Sequence, residues 1–341
     1  MPESIQLHFL TPTYATTQGA AAAGLALESS PTGYNQIINQ CGSLFCTRKF
    51  LHGFSSPQVS VPMLGLKSFE CLDTYHEDTR FLYPYYNELI ETMLSDGYYV
   101  FYSGVDDFYL PRKSWYNVRH LHHDGIIHGF DKKDKTYSIA AYDEKWRFSS
   151  LKIPMEAFDR GFLSSLNDHA YGYFIAYKMK PTSIGLDQKM ILDYTKRFLS
   201  ETSEKYPPDS DGAVTGIAVY DFIAIYLDML KNKSIAFEKM DWRALRPVWE
   251  HTKCMYDRLL AIEAANSWTD ELSREYMPLV EHADKQRIMY AVYRSNNRES
   301  LAEKIKDAII CLKEKERNIL NRLVKKMEES DALDTNKGEA S

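Results

Sequence analysis

Four histidines lie between positions 120 and 128 of this chain: His120, His122, His123 and His128. The residues from 119 to 142 predict two strands joined by a charged hairpin at 131–135. If the hairpin closes, Asp143 at the end of the second strand approaches His123 near the start of the first. A carboxylate beside a histidine fixes its tautomer and stabilises the imidazolium, as in a Cys-His-Asp triad. The pattern therefore predicts general base chemistry at His123.

Two other interpretations of the histidine cluster stay open. The imidazoles could be solvated side chains at a polar strand edge. A metal could be bound by His120 and His123, or by His122 and His128, but on a strand the first two point to opposite faces. No CxxC or HExxH pattern accompanies them, and zinc usually takes three or four protein ligands. The sequence therefore predicts neither a metal site nor a cofactor.

A longer pattern surrounds the cluster. The stretch from Gly97 to Pro111, then His120 and His123, then Gly129-Phe-Asp131 and Tyr142-Asp143, resembles the family of the butirosin biosynthesis protein H N-terminal domain. The resemblance covers roughly residues 30 to 180. It implies a papain-like fold akin to that of the bacteriocin-processing cysteine peptidases. It also implies acyl transfer from a carrier protein to an amine, within natural product biosynthesis.

The resemblance implies a catalytic cysteine early in the domain, and Cys41 is the best candidate upstream of His123. The segment after Cys41 could form a helix whose N-terminus would favour the thiolate. Gln40, like Gln36, could donate a hydrogen bond to an oxyanion. The competing interpretation makes Cys41 a small buried residue of a core strand, since free cysteine is among the most buried residue types. In that case the domain binds without catalysing.

Candidate substrate-binding residues follow a predicted buried strand at 98–105. Asp106 and Asp107 begin the turn that leaves this strand, and either carboxylate could hold a substrate amine, with Tyr109 and His120 beside it. The alternative is that the two carboxylates accept hydrogen bonds from turn amides, which is common for aspartate in turns.

Composition limits the class of protein. The chain has 341 residues, enough for two domains, and 44% of them are hydrophobic. A net charge of −6 argues against nonspecific binding to nucleic acid. Five scattered cysteines suggest a reducing compartment, and no lysine or arginine precedes Arg48, which argues against an export signal. No apolar run approaches the ~18 residues that cross a bilayer, so the expected location is cytoplasmic.

The predicted fold class is α+β, with a papain-like domain built on an antiparallel sheet and an all-helical C-terminal domain. The predicted segments are a loosely ordered lead-in at 1–30, the papain-like domain at 31–182, the helical domain at 183–329 and a disordered tail at 330–341. Helices are expected at 187–206, 213–231, 242–265, 268–294 and 300–328. The apolar stripe of the last helix predicts domain core or a homodimer seam. Glu250 and Lys253 are predicted to pair on the surface.

These observations predict a cysteine-dependent acyltransferase of specialised metabolism. Cys41 would attack a carrier-bound or activated acyl group, His123 would take and return the proton, and Asp143 would orient His123. The acceptor would be a small-molecule amine, and water in its place would make the same site an amide hydrolase. The rival hypothesis is a catalytically silent papain-like module that binds a peptide or a carrier protein.

Overall fold

The chain is described by a computed structural model that covers residues 2–13, 18–28, 30–40, 43–52, 57–61, 69–168, 172–202, 205, 212–236, 238, 240–241, 243–296 and 299–338. It forms two compact units, and each is built from two stretches of chain. The first unit contains Met1–Tyr34 and Leu64–Ile184, and the second contains Asn35–Met63 and Gly185–Ser341. The fold is α+β, with antiparallel sheets and a helical C-terminal region.

The strands are β1 (Ser4–Gln6), β2 (Phe45–Thr47), β3 (Val59–Ser60), β4 (Leu72–Asp78), β5 (Tyr99–Asp106), β6 (His122–Asp131), β7 (Thr136–Tyr142), β8 (Phe148–Pro154), β9 (Tyr173–Met179) and β10 (Ala213–Thr215). The helices are α1 (Gln18–Leu27), α2 (Pro31–Gln40), α3 (Tyr86–Ser95), α4 (Met155–Asn167), α5 (Gln188–Ser200), α6 (Val219–Lys231), α7 (Arg246–Ala265), α8 (Glu271–Asn296) and α9 (Glu299–Gly338). None of the helices within the described ranges has the length and apolar composition needed to cross a membrane.

The first unit is organised by one antiparallel sheet. Its strand order is β4-β9-β5-β6-β7-β8, and β1 adds to the second half of β6. Helices α3 and α4 pack on this sheet, where the rings of Tyr86 and Phe162 stack with centroids 4.1 Å apart. Because large aromatic side chains bury much apolar area, this layer is the core that fixes the ends of β5 and β6.

The predicted loose lead-in at 1–30 is wrong for its described residues. Strand β1 pairs with β6 in the register Ser4↔Asp131, and the described apolar side chains of α1, which are those of Ala21, Ala22, Leu25, Ala26 and Leu27, are buried. An uncharged run of small apolar residues suits a buried helix better than a solvated segment. Gly129 permits this pairing, because a Cβ atom there would lie 2.6 Å from the carbonyl oxygen of Ile5.

The second unit combines helices α5 to α9 with a small sheet in the order β10-β2-β3. It therefore includes residues 35–63, which the sequence-based boundaries placed in the first domain. The helix predicted at 213–231 is also corrected, because its first three residues form β10 and pair with β2 before α6 begins. Pairing with a strand about 170 residues away is invisible to local periodicity.

The last helix is longer than predicted. Helix α9 extends to Gly338, so the predicted disordered tail is wrong for residues 330–338, and residues 339–341 lie outside the described part. Its apolar stripe is buried against other helices of the second unit, which assigns the stripe to the core of that unit. The homodimer remains a prediction.

The predicted surface pair of Glu250 and Lys253 is also wrong. Glu250 is buried and its carboxylate lies 2.8 Å from Nε of Arg246, whereas Lys253 pairs with Asp257. Both pairs have i,i+4 spacing, which brings side chains together on one helix face.

A buried polar cluster connects four helices of the second unit around Glu316. The Glu316 carboxylate accepts hydrogen bonds from Tyr220 at 2.6 Å, from Nε2 of His251 at 3.0 Å and from Tyr276. All four side chains are fully buried, and the ring of Phe198 stacks on His251. Burial alone would raise the pKa of Glu316, but the charge and hydrogen bond of His251 and the two tyrosines lower it. Glu316 is therefore ionised within the core.

Candidate functional site

The histidine cluster lies where β5 ends and β6 begins. The register pairs Val105 with His123 and Asp106 with His122. A loop at 108–121 joins the two strands, and it is tied back to them by the bond from the Asp107 amide to the Leu121 carbonyl at 2.9 Å. The antiparallel pairing thus places two adjacent aspartates beside the histidines, although the loop separates them in sequence.

His123 is held by Asp107. Its Nδ1 lies 3.0 Å from Oδ2 of Asp107, and because a carboxylate only accepts, Nδ1 donates. Asp107 is 1% exposed, whereas the His123 side chain is 33% exposed. The other carboxylate oxygen of Asp107 lies 3.3 Å from Nζ of the buried Lys113. Among the described residues Nε2 of His123 has no hydrogen-bond partner, so this nitrogen can accept a proton.

The predicted role of Asp143 as the carboxylate that orients His123 is corrected by this geometry. Asp143 begins the turn between β7 and β8, and its carboxylate accepts the amides of Lys145 at 2.8 Å and Arg147 at 2.9 Å. Nε and Nη2 of Arg147 both donate to Oδ2 of Asp143, at 3.1 Å and 2.9 Å, and form an ion pair with it. Burial would raise the pKa of Asp143, but the bonds from Arg147 and Lys145 lower it. Its hydrogen-bonding capacity is used by the turn.

Asp106, a predicted substrate-binding residue, is fully buried and fully bonded. It accepts the amides of Phe108 and Leu121 at 3.1 Å each, Nδ1 of His120 at 2.6 Å and Oγ of Ser164 at 2.8 Å. Burial would raise its pKa, but these hydrogen bonds lower it. Asp106 therefore follows the alternative that the sequence left open, in which a turn carboxylate accepts loop amides, whereas the Asp107 carboxylate contacts His123 and Lys113. His120 is a partner of Asp106 and is about half exposed.

Aromatic residues lie in the loop between β5 and β6 and in the turn between β7 and β8. The ring centroids of Tyr109 and His120 are 5.9 Å apart, and those of Trp115 and Trp146 are 6.4 Å apart in an edge-to-face arrangement. The guanidinium of Arg119 lies 3.8 Å above the Trp115 ring. Trp146 is 40% exposed and has a left-handed φ of 58°. Such a conformation is rare for a bulky residue and is typical of functional loops.

The predicted nucleophile Cys41 lies outside the described residues. Gln40 ends α2 in the second unit, and its buried Oε1 has no hydrogen-bond partner among the described residues. Burial raises the pKa of Cys46 to about 12, which disfavours its thiolate.

Cys71, the described cysteine of the first unit, lies far from His123. Thr74 of β4 and Tyr99 of β5 both pair with Tyr177 of β9, so Thr74 and Tyr99 lie at the same level of the sheet. Val105 of β5 pairs with His123 of β6. Cys71 precedes Thr74 by three residues and Val105 follows Tyr99 by six, so the two positions differ by nine residues. At about 3.3 Å per residue the separation is roughly 30 Å. Cys71 is therefore excluded as the nucleophile for His123.

One group of described side chains is close enough to share a metal ion. One ligand atom each of Asp106, His122 and Asp168 lies within 4.8 Å of the other two, and Nε2 of His122 is 3.4 Å from Asp168. Asp106 already accepts four protein donors, so its carboxylate is satisfied without an ion.

His128 is a structural residue of the sheet. Its Nδ1 lies 2.7 Å from the side-chain amide of Gln6 and its Nε2 lies 2.9 Å from Oγ of Ser150, while Phe9 stacks on the ring. Burial is the main cause that lowers the pKa of His128 to about 4. The fold therefore keeps this imidazole neutral.

We expect His128 to make the protein sensitive to acid. Between its ordinary pKa of 6.5 and its value of about 4, the unfolded chain binds a proton that the folded protein rejects. Stability is therefore lost as pH falls through this window, by about 3 kcal/mol at most. Urea unfolding at a series of pH values should show a smaller loss in His128→Gln. Equal losses in both proteins would contradict the assignment.

Sequence reasoning missed the role of Asp107 in orienting His123, and it missed Lys113 altogether. A signal for Asp107 was present, because an antiparallel connection places the residues that end one strand beside those that begin the next. No signal marked Lys113, since a lysine in a polar loop is normally solvated.

Comparison with known proteins adds no assignment: no protein-family model matches the chain, and no curated protein matches it.

Proposed function

We propose that the protein transfers an acyl group from a thioester to an amine, with His123 of the first unit as the general base. One observation carries this proposal: the ring is fixed at Nδ1 by the buried Asp107 and its Nε2 is unpartnered among the described residues. This is the arrangement that a histidine needs to take up a proton during attack on an acyl group. The papain-like arrangement and a cytoplasmic location belong to the same proposal.

The proton has a complete path in this chemistry. As the amine nitrogen forms a bond to the acyl carbon, its proton moves to Nε2 of His123. The imidazolium is stabilised by Asp107, and it returns the proton to the thiolate sulfur as the carbon–sulfur bond breaks. The products are an amide and a free thiol. With water in place of the amine, the product is the carboxylic acid.

Two routes fit this path. In the covalent route Cys41 attacks the thioester first and the amine then attacks the acyl-enzyme. In the direct route the amine attacks the thioester itself and no protein nucleophile is needed. The direct route requires only the His123 and Asp107 pair and a binding site for the two substrates.

The test uses acyl N-acetylcysteamine thioesters with and without a primary amine, and it measures released thiol. We expect release above the buffer rate. The covalent route predicts an acylated peptide containing Cys41, loss of turnover in Cys41→Ser, and faster alkylation of Cys41 than of the exposed Cys311. The direct route predicts that Cys41→Ser keeps turnover within a few-fold. Cys311→Ser is the matched control for both routes. Absence of thiol release would refute acyl transfer.

A second candidate function is a silent module that binds a peptide or a carrier protein. The exposed Trp146 and Arg119, together with the partly buried Trp115 that both contact, favour it, because tryptophan and arginine are enriched in interface hot spots. Failure of thiol release, together with quenching of tryptophan fluorescence by an added carrier protein, would select this function over acyl transfer.

A further inference from the structure

We infer that Lys113 is a positioning residue that sets the charge balance of the His123 and Asp107 pair. This inference rests on the proposed role of His123 as a base. Lys113 lies in the loop between β5 and β6 and is only 3% exposed, which is rare for lysine. Its Nζ lies 3.3 Å from Oδ1 of Asp107, while Oδ2 of the same carboxylate is 3.0 Å from Nδ1 of His123. One carboxylate therefore serves two cationic or donor groups.

The backbone holds Lys113 in this place. Its amide donates to the Leu110 carbonyl at 3.3 Å, and its own carbonyl accepts the Tyr116 amide at 3.1 Å. Nζ has no hydrogen-bond partner among the described residues, so its contact with Asp107 is an ion pair and not a hydrogen bond. A buried ammonium is costly unless a negative charge compensates it. Asp107 provides that charge.

The neighbouring titratable residues on β5, β6 and the loop between them include Asp106 with its partner His120, His122, Asp124 and Tyr102. Asp124 follows His123 in β6, and the buried Tyr102 packs from β5. Burial, and then the charges of Asp107 and Asp124, raise the pKa of Tyr102 well above its ordinary value, so its phenol stays neutral. Lys113 is the ammonium group that pairs with the Asp107 carboxylate.

A charge balance of this kind has a catalytic purpose. Asp107 alone would favour the imidazolium form of His123, and an imidazole that is already protonated cannot act as a base. Lys113 offsets the charge of Asp107 but leaves its hydrogen bond to Nδ1 intact. The ring is thus oriented without being locked in the charged form.

The test follows the His123 ring directly by NMR of histidine labelled with carbon-13, and His123→Asn identifies the signal. In Lys113→Met we expect the His123 titration to move to higher pH by about one unit, a roughly tenfold change in the ratio of charged to neutral ring. The acidic limb of the pH profile for thiol release should move in the same direction. Lys132→Met is the matched control, because Lys132 pairs with Glu91 elsewhere in the first unit.

A second substitution at position 113 tests the same ion pair. Lys113→Gln retains a side chain that can donate to Asp107 but has no charge, so it replaces Lys113→Met if that variant fails to fold, and it should move the titration the same way. The titration needs no substrate, so absence of thiol release would refute the proposed function and leave this measurement valid. An unmoved or downward titration in a folded variant would overturn the role of Lys113, whatever the turnover.

Discussion

Replacing Asp107 with asparagine should lower the rate of thiol release by about 10³- to 10⁴-fold. The carboxylate of Asp107 accepts the proton on Nδ1 of His123 and so leaves Nε2 free to act as the base. An asparagine amide at this place can donate to Nδ1, which moves the ring proton to Nε2 and removes the base. His123→Asn, which has no imidazole, sets the lower limit for comparison.

Asp143→Asn is the matched control, since the same substitution is made at the carboxylate that sequence patterning favoured. Asp143 is bonded to the β7–β8 turn, so we expect thiol release within about threefold of the unsubstituted protein and a loss of roughly 1 kcal/mol in stability. If Asp143→Asn abolished turnover and Asp107→Asn preserved it, Asp143 would be the orienting carboxylate after all. Asp107→Asn also leaves Lys113 unpaired, so Asp107→Asn combined with Lys113→Met separates lost stability from lost turnover.

Replacing Glu316 with alanine should reduce the free energy of unfolding by about 4 kcal/mol or more. The change leaves the hydroxyls of Tyr220 and Tyr276 and the ring of His251 without their buried acceptor. It also opens space within the core of the second unit. Chemical denaturation followed by circular dichroism measures the decrease in the free energy of unfolding. We expect this decrease to exceed that of a typical substitution at the protein surface.

Glu314→Ala on the same helix is the control for this prediction. Glu314 is about half exposed and pairs with Arg317, so its removal should cost no more than about 0.5 kcal/mol. Since the pKa of Glu316 is lowered in the fold, its contribution is complete above the ordinary pKa of about 4.5 and disappears as pH falls through the lowered value. A Glu316→Ala protein as stable as Glu314→Ala would show that the cluster contributes nothing.

Local patterns predicted the local parts of the fold well. The strand expected at 136–142 matches β7 at both ends, because its apolar run is closed by a charged hairpin on one side and a turn aspartate on the other. The antiparallel sheet and the helical C-terminal region also follow from periodicity. Pairings between distant segments were missed. Strands β1 and β10 are three residues each, too short to carry a periodic signal, and their partners decide that they are strands.

The candidate site shows the same division. Sequence patterning singled out His123, because a histidine at the start of a strand in a cluster is visible without a structure, and its role as a base stays a prediction. It chose the wrong carboxylate, because Asp143 and Asp107 both lie at strand ends and only the turn geometry decides which one is free to bind the ring. The buried Lys113 could not be foreseen, since its environment is created by the folded loop.

The interleaving of the two units has a consequence for how the protein is made. Ser4 pairs with Asp131, and Cys46 pairs with Val214, so early strands leave the ribosome long before their partners. At roughly 5 to 20 residues per second, β1 waits about 6 to 25 s for β6. Residues 35–63 lie between the two stretches of the first unit in sequence, and β2 within them is synthesised about 170 residues before its partner β10. A gene fragment that stops at Ile184 therefore encodes the whole first unit together with residues 35–63 of the second unit. Without the rest of the second unit, side chains of this segment that are normally buried become exposed to solvent and promote aggregation.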